Sequence, residues 1–219
     1  MVKAYSRWPL DVVNLGRFDL NFAQRLFVRE GLSERKTEWP VLRNMIAANG
    51  VFESGVEPPP PFIVKEVTGR RITTNGGKLR IAFIGLAAPI RVAEGIDGAV
   101  TDVFAAARKV VPQARKQADL VVIVAHCEWA AANRLAQENP EADIVMSGNA
   151  EGFFDPAKVG NALVVPVAPG NLRMGELRIY LDKQGKASFK FRATDLDQVV
   201  PSDPAAVEFV DSARRERAR

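Results

Sequence analysis

A run of six consecutive apolar residues at positions 120–125 constrains the fold of this chain more than any other feature of the sequence. A strand with one solvated face alternates apolar and polar residues, so an unbroken run indicates a strand that is buried on both faces. Such strands lie inside parallel sheets covered by helices, and residues 100–114 carry an apolar stripe at helical spacing just before the run. The pattern therefore predicts a layered α/β fold.

Further strands and helices are predicted on both sides of this run from apolar periodicity and from the positions of glycine and proline. The predicted strands cover residues 11–15, 62–67, 79–86, 143–146 and 161–168, and a hairpin covers residues 176–182 and 186–193. The predicted helices cover residues 20–30, closed by Gly31, residues 129–139, ended by Pro140, and a last segment capped by Asp203, with Val207, Phe209 and Val210 facing inward. We expect one domain at residues 1–200, followed by a C-terminal helix with a basic end at residues 201–219.

Composition excludes several classes of protein. The 30 basic and 26 acidic side chains leave a net charge of +4 and are interleaved along most of the chain, so we expect no nucleic-acid partner. The single cysteine, Cys127, has no second cysteine for an internal disulfide, and the single histidine, His126, cannot build a zinc site of several imidazoles. No stretch approaches the ~20 apolar residues that span a bilayer, so no transmembrane segment is expected.

Polar residues follow three of the predicted strands and mark a candidate site. In open α/β sheets, ligands bind just beyond the carboxyl ends of the strands. The side chains placed there are Arg17, Asp19, His126, Glu128, Asn149 and Glu151. Two interpretations stay open from the spacing alone: the six side chains converge on one cleft, or each is a solvated loop residue or a helix cap.

Four segments of the chain stand in an order that is typical of one enzyme family. They are residues 11–16, 119–126, 143–148 and 169–179. This order resembles the metallophosphoesterase (calcineurin-like) domain of the 5′-nucleotidase family, over residues 3–193. The resemblance implies a layered α/β/β/α sandwich of the metallophosphoesterase type. The first two motifs of the family, Asp-x-His and Gly-Asp-x-x-Asp, belong before Asp11, where this sequence has ten residues, so we expect the fold to lack its first strands.

The resemblance also implies a pair of divalent metal ions, such as Mn, Zn or Fe, which orient a phosphate and generate the attacking hydroxide. At the third motif of the family this chain carries Arg17 in place of the metal-bridging amide and Phe18 in place of the catalytic histidine. Asp19 stands at the acidic position. A permanently charged guanidinium repels a cation, and a phenyl ring has no proton to donate to a leaving group.

This chain also lacks the metal ligands of the last motif of the family. Asn149 and Glu151 stand where the resemblance implies two histidines, and only His126 matches a family ligand. We therefore interpret these positions as a vestigial site and expect no catalytic residue and no bound metal. The resulting hypothesis is a non-catalytic domain that acts as a structural or interaction subunit. The alternative is a metal-dependent phosphomonoesterase or 5′-nucleotidase that takes its missing ligands from a partner chain or a missing N-terminal segment. The third hypothesis is a small-molecule or nucleotide-binding module that kept the cleft and lost the ions.

Several of these residues also have a structural interpretation. His126 is interpreted as a neutral, hydrogen-bonded core histidine and Cys127 as a small buried hydrophobe. Neighbouring side chains point to opposite faces of a strand, so the imidazole cannot activate the thiol. The acidic residues near Arg17 form either a rebuilt cation site or, as we favour, a salt-bridge cluster around its guanidinium.

A sheet that lacks a strand leaves unpaired backbone groups on its neighbours. We expect a protein partner to supply the strand or two copies of the chain to associate through the open edge; closure of the gap by residues 1–10 is the third solution. The chain starts without the apolar segment of a signal peptide, and the resemblance allows a periplasmic location without fixing the compartment.

The salt-bridge hypothesis predicts energetic coupling between Arg17 and Glu151. If the two charges pair, removing the second charge after the first costs less than removing it from the wild-type protein. We expect the Arg17→Ala/Glu151→Gln double variant to lose less free energy of unfolding than the two single losses combined, by about 0.5–3 kcal/mol. Urea unfolding of the wild type and the three variants measures this coupling, and strictly additive losses would contradict it.

Overall fold

The structure is a computed structural model that describes residues 2–8, 10–69, 72, 76–89, 91–92, 95–96, 99–149, 155–167, 173–182, 187–197 and 199–217. The helices are α1 (Val2–Arg7), α2 (Arg17–Leu26), α3 (Leu32–Glu38), α4 (Val103–Arg115), α5 (Trp129–Glu138) and α6 (Pro204–Arg217), with a 3₁₀ helix at Pro40–Asn44. The strands are β1 (Val13–Asn14), β2 (Met45–Ile46), β3 (Phe62–Thr68), β4 (Lys78–Ala87), β5 (Arg91–Val92), β6 (Gly95–Ile96), β7 (Leu120–His126), β8 (Ile144–Ser147), β9 (Ala157–Val159), β10 (Ala162–Pro166), β11 (Arg173–Leu181) and β12 (Ala187–Asp195). Among the helices of these ranges, none has the length and apolar composition that crossing a bilayer requires.

Six strands form the central sheet, in the order β3-β4-β7-β8-β10-β9. β4, β7, β8 and β10 run parallel, while the edge strands β3 and β9 are antiparallel to their neighbours. The strand predicted to be buried on both faces is β7, which lies inside this sheet and aligns Ala125 with Leu86 of β4 and Ser147 of β8. The carboxyl ends of the parallel strands therefore meet at one edge of the sheet.

Helices α4 and α5 cover one face of the sheet completely. Eight side chains of β4, β7, β8 and β10 that point to these helices have no exposed surface: Ala82, Ile84, Leu86, Val121, Ile123, Val145, Ala162 and Val164. Removing a Val or Ile side chain from water contributes about 1.5–3 kcal/mol to folding, so this face forms the main core of the protein.

Two small ribbons of β structure cover the opposite face. β11 and β12 form the predicted antiparallel hairpin. The hairpin packs four half-buried side chains against the sheet, namely Leu177, Ile179, Phe189 and Phe191. β1 and β2 form a parallel pair that contacts the carboxyl end of β4, where Asn14 Nδ2 donates a hydrogen bond to the Leu86 carbonyl oxygen at 2.8 Å.

Helices α2 and α3 and the 3₁₀ helix form an outer layer over β1 and β2. Their buried side chains, among them Leu20, Leu32 and Leu42, form a second core with Leu15 and Met45. The layers are therefore helices α4 and α5, the central sheet, the two ribbons, and helices α2 and α3. This arrangement confirms the predicted α/β/β/α sandwich.

The predicted start of a helix at position 20 is wrong, because α2 begins three residues earlier, at Arg17. The carboxylate of Asp19 accepts a hydrogen bond from the Gly16 N–H at 3.0 Å. This contact caps the first turn, and a negative charge at a helix N-terminus also interacts favourably with the helix macrodipole. A residue that was assigned to the candidate site thus fixes the start of the helix.

The predicted end of the same helix at position 30 is also wrong. α2 ends at Leu26, because residues 27–29 leave the helix and pair through backbone hydrogen bonds with residues 55–57. Gly31, predicted to close this helix, instead precedes α3 in a left-handed conformation with a φ of 77°. Glycine adopts that conformation without the steric cost that a Cβ would add.

The predicted cap of the last helix is confirmed, but the predicted inward orientation of two of its apolar side chains is wrong. Asp203 Oδ1 accepts a backbone N–H in the first turn of α6 at 3.0 Å, which confirms the predicted cap. Val207 and Val210 were expected to point inward but are 46% and 44% exposed. Phe209, the third residue predicted to face inward, is half-buried, and its ring packs edge-on against Trp8, just after α1, with centroids 5.8 Å apart.

The buried side chain of Asn49 joins two segments near the carboxyl end of β4. Its Nδ2 donates to the carbonyl oxygens of Ala87 at 2.7 Å and Thr101 at 2.8 Å. Its Oδ1 accepts the Ala87 N–H at 3.0 Å. One amide therefore ties the end of β4 to the segment that leads into α4.

Replacing Asn49 should destabilise the protein strongly, because two buried backbone groups of Ala87 and the partly buried carbonyl oxygen of Thr101 would lose their partner. We expect Asn49→Ala to lower the free energy of unfolding by about 2–4 kcal/mol in urea unfolding. Asn44→Ala is the matched control: Asn44 donates to the Leu10 carbonyl oxygen at 2.7 Å in a half-buried position, which water can partly satisfy. A loss of about 1 kcal/mol is expected there. Equal losses in the two variants would contradict the role given to Asn49.

Candidate functional site

The candidate site lies where β1, β7 and β8 end. β7 ends at His126 and β8 at Ser147, while β1 is followed by Leu15 and Gly16. β7 pairs with β8, and β1 contacts both β4 and β7. The three loops that follow these strands are therefore neighbours, which is the placement that the sequence pattern predicts for ligand-binding edges of α/β sheets.

Gly16 brings the first two of these loops into contact. A Cβ built on Gly16 would lie 3.2 Å from Asp19 Oδ2 and 3.3 Å from His126 Cγ. Both distances are tighter than ordinary van der Waals contact, so the absence of a side chain lets the imidazole pack against the backbone. Asp19 and His126 thus both lie against Gly16.

Arg17 brings a fixed positive charge into the first turn of α2, directly after the first loop. The residue is 6% exposed, and its guanidinium carbon lies 4.8 Å from the centroid of the Phe18 ring, which is itself 71% exposed. This geometry is a cation–π contact. The charge sits at the start of α2, where the macrodipole is already positive, so the location is unfavourable for a cation unless local contacts compensate.

Two buried polar atoms of this region have no hydrogen-bond partner among the residues that the structure describes: His126 Nδ1 and Asn14 Oδ1. The sequence predicted a hydrogen-bonded histidine, so the structure differs from that expectation at Nδ1. A buried polar atom without a partner costs about 1–3 kcal/mol. His126 Nδ1 is therefore a position at which a ligand or a further polypeptide segment would stabilise the protein.

Hydrogen bonds anchor the third loop to the second. Ser147 Oγ donates to the Cys127 carbonyl oxygen at 2.8 Å, and the Asn149 N–H donates to the same oxygen at 3.2 Å. The Gly148 N–H donates to the Ala125 carbonyl oxygen at 2.7 Å. The backbone of Asn149 is therefore held close to β7, next to the strand end that carries the histidine.

Cys127 is a buried hydrophobe, as predicted. It is 1% exposed and belongs to the core under α4 and α5, whereas His126 faces Gly16 on the other side of the strand. Burial raises the pKa of the Cys127 thiol to about 12, and the negative charge of Glu128 acts in the same direction. The thiol therefore stays protonated at neutral pH and cannot act as a nucleophile.

The described residues do not fit a pair of divalent ions. Such a pair needs several imidazole and carboxylate ligands from different strand ends. Within the described ranges, no three His, Cys, Asp or Glu side chains converge to hold a metal. The Asp19 carboxylate already accepts the Gly16 N–H, and Arg17 adds a cation to the same loop. Glu151, the remaining predicted residue, lies outside the described ranges.

Sequence reasoning missed Gly85 and Ser147, which position the site without belonging to it. A Cβ on Gly85 would lie 2.6 Å from Asn14 Oδ1 and 2.7 Å from Ile46 Cγ1, so β1 and β2 approach β4 at a point where only glycine fits. The signal was present, because a glycine inside an apolar strand indicates the close approach of another backbone. No local signal identifies Ser147, whose hydroxyl acts on a loop twenty residues away.

Solved structures with a similar fold include phosphoesterases and a nucleotidase. The calcineurin-like phosphoesterase YfkN of Bacillus subtilis aligns with 99% of this chain and 72% of its own, with a TM-score of 0.66 and 17% identity. The 5′-nucleotidase precursor of Thermus thermophilus aligns with 94% of this chain, with a TM-score of 0.66 and 20% identity. The sulfate thiohydrolase SoxB of Thermus thermophilus aligns with 84%, with a TM-score of 0.60 and 20% identity. This chain spans 43% of the nucleotidase precursor and 34% of SoxB.

The chain therefore has the fold of calcineurin-like phosphoesterases and 5′-nucleotidases, as the sequence resemblance implied. At identities of 20% or less, the similarity establishes the fold alone. No protein-family model matches the chain, and no curated protein matches it by sequence.

The raised pKa of Cys127 predicts a loss of stability at alkaline pH. The thiol titrates at an ordinary value of 9.0 in the unfolded chain but near 12 in the folded protein, so only the unfolded state releases the proton between these values. The free energy of unfolding should fall by about 1.4 kcal/mol per pH unit in this window because of Cys127. Cys127→Ala should remove that contribution.

Urea unfolding of both proteins at about pH 8 and about pH 10 measures this difference. Groups other than the thiol titrate equally in the two proteins, so their effects cancel in the comparison. Identical pH dependences would contradict the burial of a protonated thiol.

Proposed function

We propose that this chain is a non-catalytic metallophosphoesterase-like domain that serves as a structural or interaction subunit and binds no divalent metal. The observation that carries the proposal is the burial of Arg17, at 6% exposure, at the start of α2, next to the loop residue Gly16 that contacts His126. The fold is that of phosphoesterases and nucleotidases, but the chemistry of this loop is unlike a cation site.

Electrostatics supports this proposal. A guanidinium keeps its charge at any pH at which a protein folds. A divalent ion and a guanidinium about 6 Å apart repel by roughly 5 kcal/mol at an effective dielectric constant of ~20. A first helical turn whose carboxylate, Asp19, already caps the helix and whose buried Arg17 carries a positive charge therefore does not favour a pair of divalent ions.

The second face of the central sheet supports the role as an interaction subunit. Side chains of β4, β7 and β8 on this face, such as Phe83, Val124 and Met146, are half-buried beneath the hairpin, whereas the face under the helices is fully covered. Apolar surface that a protein leaves partly exposed in a connected patch often binds another polypeptide.

The second candidate is a metal-dependent phosphomonoesterase or 5′-nucleotidase that takes ligands from another chain or segment. His126 Nδ1 is the observation that favours it, because this buried nitrogen has no partner among the described residues. An added ligand set around His126 would have to outweigh the charge of Arg17.

Metal content and phosphate release distinguish the two candidates. We expect the purified protein to contain far less than one equivalent of Mn, Zn or Fe by elemental analysis. With added manganese, it should release no p-nitrophenol from p-nitrophenyl phosphate above the rate without protein, since neither a general acid nor a metal-bound hydroxide is available. The assay should be run on the protein alone and on the protein purified with its natural partners.

His126→Ala and its neighbour Cys127→Ala form a matched pair of controls. Under the proposal, neither variant changes the metal content or the phosphate release. Stoichiometric metal and turnover that disappear in His126→Ala but persist in Cys127→Ala would establish the second candidate instead.

A further inference from the structure

The hairpin β11–β12 is a two-stranded ribbon, and in the described part of the chain no third strand pairs with either of its outer edges. An unpaired edge presents a row of backbone N–H and C=O groups to which another strand can pair. Isolated two-stranded ribbons are also marginally stable unless they gain strands or pack on another layer. The charges along the two edges determine which edge can pair with a further strand and which polypeptide can supply that strand.

The edge of β12 is protected against a second copy of itself. Its solvent-facing residues include Lys190 and Arg192, two positions apart. An antiparallel pair of β12 strands centred on Phe191 would place Lys190 opposite Arg192 of the second copy. A pair centred on position 190 would place Lys190 opposite Lys190, and a pair centred on position 192 would place Arg192 opposite Arg192. Like charges directly opposite one another destabilise a cross-strand pair, so these registers are disfavoured.

The edge of β11 has the opposite property, because it is complementary to itself. An antiparallel pair of β11 strands centred on Leu177 would place Glu176 of each copy opposite Arg178 of the other, twice per pair. The same register would place Met174 opposite Tyr180, whose side chains are 59% and 44% exposed in the single chain. This register therefore combines two ion pairs with two apolar contacts on the same face.

The side chains that this pairing needs lie on the open face of the hairpin. The Glu176 and Arg178 side chains are 43% and 63% exposed and form an ion pair with each other along the strand, at 2.5 Å between Arg178 Nε and Glu176 Oε1. An exposed pair of this kind contributes little to stability, so exchanging it for two pairs between copies costs little. The inner face fits as well, since Leu177 would meet Leu177 of the second copy.

We propose that two copies of this chain associate through the outer edge of β11, in an antiparallel register centred on Leu177. The two hairpins would then form one four-stranded layer over the half-buried apolar faces of the two central sheets. This inference rests on the proposed function, because it names a second copy as the partner of the interaction subunit. The occupant is a second copy because the edge complements its own charge pattern.

The test uses two charge reversals that destroy and then restore this complementarity. Glu176→Arg places Arg opposite Arg178 of the second copy, and Arg178→Glu places Glu opposite Glu176. Each single variant should dimerise at least about tenfold more weakly than the wild type in sedimentation equilibrium. An equimolar mixture of the two variants should form a heterodimer, because Arg then meets Glu at all four positions.

The double variant Glu176→Arg/Arg178→Glu should dimerise like the wild type. Lys109→Glu, a charge reversal at an exposed position of α4 outside the hairpin, should leave the dimer within about threefold of wild type. Circular dichroism and a cooperative melt confirm that each variant is folded. A monomeric wild type, single variants that dimerise normally, or a mixture that fails to associate would each overturn the inference.

The outcome is separable from that of the proposed function. A monomeric protein without metal and without turnover would overturn the second copy as the partner and leave the non-catalytic proposal standing. A dimer with the predicted charge dependence that also binds metal and hydrolyses phosphate esters would confirm the second copy as the partner and overturn the non-catalytic proposal. A monomer that binds a different polypeptide through β11 would likewise overturn the second copy as the occupant.

Discussion

The close approach of β1 and β2 to β4 at Gly85 is the contact on which the position of the candidate site depends. A Cβ at Gly85 would lie 2.6 Å from Asn14 Oδ1, which is too short for any real contact. Because β1 continues directly into Gly16, the same approach also sets the contact between Gly16 and His126. The first turn of α2, at residues 17–19, thus owes its location to a missing side chain on another strand. Pressing β1 outward would separate the first loop from the second without altering any residue of either loop.

The two faces of the central sheet have different physical roles. The face under α4 and α5 contains side chains with no exposed surface and supplies the largest share of apolar burial. The other face is divided between the pair β1–β2 at the carboxyl ends and the hairpin β11–β12 farther along, and most of its apolar side chains are half-buried. A fold that is stabilised chiefly from one face can leave the other for association, because contacts there are not needed to hold the sheet together.

The elements that could be predicted from the sequence are those whose pattern is local. β7, α5 and the hairpin each carry their period within one segment, and the strand predicted at residues 11–15 contains β1. β2 is only two residues long, and its pairing with β1 spans some thirty residues of helix and turn, so neither was readable from a local pattern. The limits of α2 depend on the Asp19 cap and on the pairing of residues 27–29, which is non-local. In the site, the sequence shows that residue 17 is an arginine, but it does not show that this arginine is buried. The lack of a described partner for His126 Nδ1 could not be predicted either, because it depends on the neighbouring loop.

Three polar or charged side chains in or beside the site have structural contacts. Asp19 accepts the N–H that starts α2, Arg17 packs beneath Phe18, and Ser147 binds the backbone of the second loop. A general base or a metal ligand needs a lone pair directed at the reacting group, and a carboxylate that caps its own helix has less of that capacity to offer. His126 differs from the others, since its Nδ1 has no partner within the described ranges. A cation that binds this nitrogen would therefore approach the positive charge of Arg17, the residue that follows the Gly16 packed against His126.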